Sequence, residues 1–362
     1  MEGASGPRPG PHSHARGPRL QTAAFDFDLP DRLIAQHPAE PRDASRLMVA
    51  RRAAGSWEHR AFRDLPELLS PGDVLVRNDT KVVPARLLGR REATGGAWEG
   101  LYLRTLPGGD WEVIGRTRGR PAPGEVVVVG RGLRLTLVSR DESGRWTARP
   151  DPGDPAGDLL DRHGVVPLPP YIRKGVEGPG DRSRYQTVFA RAEGSVAAPT
   201  AGLHFTDEVF RRLEARGVGK VDLTLHVGLG TFRPIEAEQI EDHTLHAEWA
   251  SLNATTAGRL AQARAYGGRI VAVGTTAART LETAAAGGTI EPFEGQTALY
   301  IRPGHEFRAV DALLTNFHLP RSSLLVLVAA LAGVDLARDA YAEAIRREYR
   351  FYSYGDAMLI LP

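Results

Sequence analysis

The stretch Arg269-Ile270-Val271-Ala272-Val273-Gly274-Thr275-Thr276-Ala277-Ala278-Arg279-Thr280-Leu281-Glu282 decides the fold class. Four consecutive apolar residues, three of them β-branched, stop at a glycine and read as a buried strand. Thr275-Thr276 then opens a helix. A buried strand feeding directly into a helix is the building unit of an α/β sheet.

The same texture extends to either side. Thr206 is placed to cap a helix with Asp207 and Glu208 in its first turn, Arg216 in its last and Gly217 just beyond, charges that complement the helix dipole. Val221 to Val227 reads as a strand and Thr256 to Tyr266 as a helix. Ser322-Ser323 caps an apolar helix from Leu324 to Ala332, and Ala340 to Tyr349 reads as the last long helix. Towards the amino terminus, Phe25-Asp26-Phe27-Asp28-Leu29 alternates as an edge strand would, and Pro30 to Ile34 reads as a helical turn. Val74-Leu75-Val76 reads as a strand ending in the turn Asn78-Asp79-Thr80.

From Lys81 to about Thr147 the pattern changes. Short β-type runs (82–88, 99–104, 111–116, 126–129, 133–138) alternate with turns such as Pro107-Gly108-Gly109 and Pro121-Ala122-Pro123-Gly124. That spacing predicts a small barrel or sandwich, with Asp151 to Pro155 as its exit linker. The expected organisation is a disordered extension over 1–22, a discontinuous α/β domain over 23–80 and 156–362, and the β-rich insertion over 81–155.

The chain of 362 residues is long enough for two folded units. A net charge of +2 and an isoelectric point near 9.0 do not by themselves argue for nucleic acid. Without cysteine no disulfide, zinc-thiolate or iron–sulfur site can be built within the chain. Residues 1–20 lack the apolar core of a signal peptide, and the most apolar later run is too short to span a bilayer. A cytoplasmic protein without a membrane partner is expected.

Several loops hold groups able to do chemistry. The segment containing Thr200, Gly202 and His204 runs into a helix start suited to an anion, although a loop histidine bonding only backbone is the plainer reading. His226-Val227-Gly228-Leu229-Gly230-Thr231 follows a strand. Pro234 and a missing third glycine argue against a dinucleotide fingerprint, leaving a tight turn or a close ligand approach at Gly228, Gly230 and Thr231. Glu241, Asp242, His243, His246 and Glu248 lie within eight residues. Their spacing matches no zinc signature, so no metal is expected, and an acid/base cluster competes with a solvated surface. Thr275, Thr276 and Arg279 can together hold a phosphate or carboxylate, against an ordinary capped helix with a surface arginine. Asn316 and His318 combine an amide and an imidazole before Pro320. Tyr354 and Asp356 sit in an aromatic-rich segment that serves either core packing or stacking on a base.

Read together, Ala198 to Phe205 (APTAGLHF), Leu225 to Phe232 (LHVGLGTF), Thr315 to Pro320 (TNFHLP) and Ser353 to Met358 (SYGDAM) closely resemble the S-adenosylmethionine:tRNA ribosyltransferase-isomerase family. The resemblance covers all but about the first two dozen residues. It implies an α/β domain with an inserted β-barrel. It also implies transfer and isomerisation of the ribosyl group of S-adenosylmethionine onto 7-aminomethyl-7-deazaguanine at the wobble position of a tRNA anticodon loop. Epoxyqueuosine is formed, and adenine and methionine are released. S-Adenosylmethionine would be a co-substrate, with no permanently bound cofactor, and a monomer is expected. For such chemistry His226, His243, His246 and His318, with Asp242, Glu248 and Asp356 as partners, are the candidate proton carriers. Thr200, Gly202, His204, Gly228, Gly230, Thr231, Thr275, Thr276, Arg279, Asn316 and Tyr354 are the candidate substrate contacts, with Arg279, Thr275 and Thr276 on the methionine carboxylate. A related transferase acting on a free amine and a non-catalytic tRNA-binding protein are the alternatives.

Overall fold

The computed structural model describes residues 19–130, 132–228 and 234–362. In chain order its strands are β1 (Arg46–Arg51), β2 (Ser56–Ala61), β3 (Val74–Asn78), β4 (Thr80–Val82), β5 (Arg86–Arg91), β6 (Ala97–Thr105), β7 (Trp111–Thr117), β8 (Val126–Val129), β9 (Leu133–Arg140), β10 (Arg145–Asp151), β11 (Ala192–Ser195), β12 (Gly219–Leu225), β13 (Glu248–Leu252), β14 (Ile270–Val273), β15 (Phe293–Thr297), β16 (Ala312–Asn316) and β17 (Ala357–Leu361). The helices are α1 (Leu65–Leu68), α2 (Ala156–His163), α3 (Asp181–Arg184), α4 (Asp207–Ala215), α5 (Ala254–Ala265), α6 (Thr275–Ala284), α7 (Ser323–Ala332) and α8 (Val334–Arg346).

Among the described residues, nine strands form one mixed sheet in the order β15-β13-β12-β3-β14-β16-β17-β1-β2. The central four, β12, β3, β14 and β16, run parallel, so their carboxyl ends share one edge of the domain. Both faces are covered, as buried parallel strands require. On one face Val76, Ala272, Leu313 and Ile360 meet α5 to α8. On the other Leu75, Val271, Leu314 and Leu359 meet Phe205, Val209 and Leu213 of the α4 region. Three helix starts are capped by side chains: Thr206 on Val209 N, Asn253 on Thr256 N and Ser322 on Leu325 N.

The insertion is a closed barrel, β10-β7-β6-β5-β8-β9, which decides between the two architectures that turn spacing left open. Its interior is filled by Trp98, Trp111, Trp146 and aliphatic residues. The Trp98 ring lies across Gly100 and its cross-strand partner Gly115, where an added Cβ on Gly100 would stand 1.9 Å from a ring carbon. Gly100→Ala is therefore expected to cost about 1–3 kcal/mol through overpacking, read as a lower melting temperature. The chain enters the barrel at Arg86 and returns past α2 at Val165, and these two residues exchange both backbone hydrogen bonds (3.2 and 2.8 Å).

Several expectations are corrected. Residues 25–29 form no strand. Phe25 ends a short 3-10 turn, and Phe27 stacks edge-on against Tyr341 (5.5 Å), so the alternation anchors a strap without ladder hydrogen bonds. The run 82–88 is split at Pro84 into β4 and β5, since proline lacks the donor a ladder needs. The last helix spans 334–346, earlier than read. Residues 1–18 of the extension expected to be disordered lie outside the described residues. Residues 19–22 are docked: Thr22 donates from N to Glu238 O (2.8 Å) and from Oγ1 to Ala237 O (2.7 Å).

Candidate active site

At the shared carboxyl edge of β3, β14 and β16, a pocket of about 650 Å³ of empty space opens between the starts of α6 and α7. Ligands of α/β sheets settle at this edge. Its walls bring together Thr200, Val227, Thr275, Thr276, Asn316 and His318, with Tyr171, Ser322 and Tyr352 completing the rim. The loops around positions 227, 275 and 318 thus meet in one cavity, although they are up to about ninety residues apart in sequence. Below it, Asn78 Nδ2 donates to Thr276 Oγ1 (3.2 Å) and to Leu225 O (3.0 Å), tying three strand ends together.

His318 forms part of the pocket wall with its Nε2 2.7 Å from Thr315 Oγ1. Desolvation lowers its pKa from 6.5 to about 3, so the imidazole is neutral at physiological pH. His204 lies one layer deeper, only 4 % exposed and stacked on Phe62 (5.0 Å). Its Nδ1 is 2.7 Å from Ser45 Oγ and its Nε2 is 3.2 Å from Asn316 Nδ2. Burial takes its pKa down to about 4, against an opposing pull from Asp356.

Other candidates are placed elsewhere, each for a visible reason. His226 turns from the pocket towards Thr80 Oγ1 (2.8 Å) and stacks on Trp249 (5.2 Å). Burial lowers its pKa, opposed by Asp79. Arg279 is not free to take a carboxylate. It is 5 % exposed, pairs through Nη1 with Glu248 and donates from Nε to Leu299 O (3.2 Å). Glu248 is buried with it and also accepts from Gly228 N (2.8 Å), so this pair secures the start of the glycine loop. Asp356, 1 % exposed, accepts from Arg46 N (3.0 Å) and Arg350 N (2.8 Å), a crosslink between β1 and the chain before β17. Asp242 is exposed and pairs with Arg19. His246 is exposed, and His243 meets Tyr300 edge-on (5.5 Å). These three line neither the pocket nor the neighbouring cleft. Tyr354 donates from its buried hydroxyl to Asp181 Oδ1 (3.0 Å). Gly202 is packed against Phe189 and Thr187 behind the pocket. Gly230 and Thr231 lie outside the described residues.

Residues that sequence reasoning passed over include Ser45, Asn78 and Thr315. Thr315 stood next to residues already singled out, and its hydroxyl lies 2.7 Å from His318 Nε2.

Gly228 also borders a second cleft of about 1310 Å³ of empty space between the barrel and the α/β domain. The barrel contributes Arg86 and Arg116 to it, and the α/β domain contributes Lys174. Arg86 spans the junction, donating from Nε to Glu99 (2.8 Å) and from Nη1 to Gly175 O. Arg116 and Lys174 are exposed. Among the described residues, no group of His, Asp and Glu side chains is arranged to hold a metal ion, and no helix is long and apolar enough to cross a membrane.

A ligand pocket at the carboxyl edge of parallel strands, opening beside a basic cleft walled by an inserted barrel, defines an α/β enzyme of two structural units. The chain belongs to the queuosine biosynthesis protein family, whose model matches residues 22–360. A protein of Symbiobacterium thermophilum named S-adenosylmethionine:tRNA ribosyltransferase-isomerase is 54% identical over 344 residues, covering 94% of this chain and 100% of the relative. One of the same name from Moorella thermoacetica is 51% identical over 345 residues, covering 94% of this chain and 100% of that one. The crystal structure of S-adenosylmethionine tRNA ribosyltransferase from Thermotoga maritima matches with 41% identity and a TM-score of 0.55, covering 93% of this chain and 100% of that one.

Proposed function

We propose that this chain transfers and isomerises the ribosyl group of S-adenosylmethionine onto 7-aminomethyl-7-deazaguanine at the wobble position of tRNA. Adenine and methionine are the products released. The observation that supports this reading best is the juxtaposition of a small, neutral-imidazole pocket with a larger basic cleft. The first lies at the carboxyl edge of the parallel strands, where ligands of α/β sheets bind. The second offers cations from both units to a phosphate backbone, the dominant source of affinity for nucleic acids. A base to be modified must leave its stack to reach the pocket, whose lining includes the mutually packed rings of Tyr171 and Tyr352.

The sulfonium acidifies the neighbouring C5′–H. A base takes that proton, and the electron pair left on C5′ forms a C4′=C5′ double bond as the C4′–O4′ bond breaks. O4′ becomes a carbonyl on C1′ as the C1′–N9 bond breaks and adenine leaves, collecting a proton. The neutral primary amine of the base then adds to C4′ and loses a proton, returning the electron pair to C5′, which closes on the C1′ carbonyl and leaves an alkoxide on C1′. Closure of the epoxide breaks the carbon–sulfur bond and expels methionine as a neutral thioether. Of the histidines proposed as proton carriers, His318 is the one in the pocket wall.

The test is adenine release. Incubation with S-adenosylmethionine and tRNA bearing the deazaguanine amine should release adenine in proportion to tRNA modified, and tRNA with guanine in its place should release none. Adenine release driven equally well by the free base would move the assignment to a small-molecule transferase. Saturable tRNA binding without adenine release would leave only a binding protein.

A further inference from the structure

Asn316 is 1 % exposed, yet its Oδ1 has no hydrogen-bond partner among the described residues. A buried carbonyl oxygen left unpaired costs about 1–3 kcal/mol and calls for an explanation. Asn316 lines the pocket, and the orientation of its amide is dictated by its other contacts. Nδ2 donates to Tyr352 O (3.1 Å). Turning the amide over would set two carbonyl oxygens against each other. With Nδ2 so fixed, its contact at His204 Nε2 (3.2 Å) requires a lone pair there. His204 is then the neutral tautomer with its proton on Nδ1, donated to Ser45 Oγ (2.7 Å). Ser45, His204 and Tyr352 therefore fix the amide with its oxygen unpaired on a residue that lines the pocket, and an acceptor in a buried position selects an N–H or O–H donor.

Beside it stands a helix start without a side-chain cap. Gly274, at the amino terminus of the ten-residue α6, provides no side-chain cap, and its φ of 92° is one that other residues rarely adopt. The first N–H groups of the helix lack intrahelical partners, and Gly274, Thr275 and Thr276 line the same pocket as Asn316. β14 and β16 are adjacent, with Val273 opposite Leu314, so the two features stand at neighbouring strand ends. An acceptor next to uncapped helix N–H groups is complementary to a zwitterion.

We propose that this pocket holds the α-amino-acid end of S-adenosylmethionine, with its ammonium on Asn316 Oδ1 and its carboxylate on the amino terminus of α6, and that His204 is a positioning residue for the amide. This rests on the function proposed above and specifies which end of the substrate the pocket takes. Arg279, turned inward on Glu248, has no part in it.

The experiment compares binding of S-adenosylhomocysteine, which keeps the amino-acid end, with 5′-methylthioadenosine, which lacks it. Both are thioethers that cannot react. The full chain is used in calorimetry, with melting curves to verify folding. Asn316→Leu should weaken S-adenosylhomocysteine tenfold to a hundredfold, the worth of a hydrogen bond to a charged group, and leave 5′-methylthioadenosine within twofold. Asn316→Ala, which removes the same oxygen without adding bulk, should show the same selective loss of S-adenosylhomocysteine and serves if the leucine variant does not fold. His204→Leu should reproduce the selective loss, while His204→Gln, whose carbonyl can still accept from Asn316, should restore it. Equal effects on the two ligands, or none, overturn the inference. So does an Asn316→Leu variant that raises only the KM for tRNA, because the donor would then be the amine of the base. Failure of the unsubstituted protein to bind either nucleoside would instead overturn the function on which the inference stands.

Discussion

Replacing Glu248 with alanine is expected to destabilise the protein by about 3–5 kcal/mol, because the Arg279 guanidinium would be left charged and buried without its partner. The two side chains are each 6 % exposed, so water cannot replace the lost carboxylate. The effect should be read as a drop in urea midpoint or melting temperature with S-adenosylmethionine absent. Activity should fall as well, since Glu248 holds Gly228 N (2.8 Å) and with it the end of β12 beside the pocket. Arg279→Met alone should be similarly costly, and combining it with Glu248→Leu should recover much of the loss, because an apolar pair of similar size removes both buried charges. Near-additive losses in the double variant would show that the charges contribute independently, and a catalytic defect without destabilisation would return Arg279 to the list of ligand contacts.

The second large effect depends on pH. His204 is buried with its pKa lowered to about 4, whereas in the unfolded chain it titrates near 6.5. Below 6.5 the unfolded state binds a proton that the folded state refuses, so stability is complete above that pH. It declines as pH falls towards 4, by roughly 3 kcal/mol across the window. His204→Gln has no such proton. The difference in unfolding free energy between the two proteins should therefore change by that amount between pH 7 and pH 4, in the direction that favours the variant in acid. A constant difference across the window would mean that His204 titrates in the fold as it does in the unfolded chain.

The parts of this fold that could be read from sequence are those whose signal is local. Side-chain caps at Thr206 and Ser322 mark helix starts, and the glycine and proline turns between residues 81 and 147 announced a β-rich insertion. Strands β16 and β17 gave no such signal. Ala312–Asn316 and Ala357–Leu361 are buried throughout, and a short buried run has no periodicity to distinguish strand from helix. The site divides in the same way. Thr275, Thr276, Asn316 and His318 stand at strand ends, where position alone directs them to the pocket. His226 was misplaced although the clue was present. In β12 and just beyond, Val221, Leu223, Leu225 and Val227 alternate with Asp222, Thr224 and His226, so His226 belongs to the set facing away from Val227. The burial of Arg279, Asp356 and Tyr354 depends on partners 31, 310 and 173 residues away, and no window of sequence contains such pairs.

The antiparallel bridge between Arg86 and Val165 has a consequence for how the chain folds. Some eighty residues leave the α/β domain and come back at two points that are hydrogen-bonded to each other. Once the barrel has closed on itself, the host domain no longer has to bring distant ends together, and the entropy of that loop has already been spent within the insert. To the surrounding sheet a folded barrel behaves as a tight hairpin turn, so the host sheet closes at a lower entropic cost once the insert is in place.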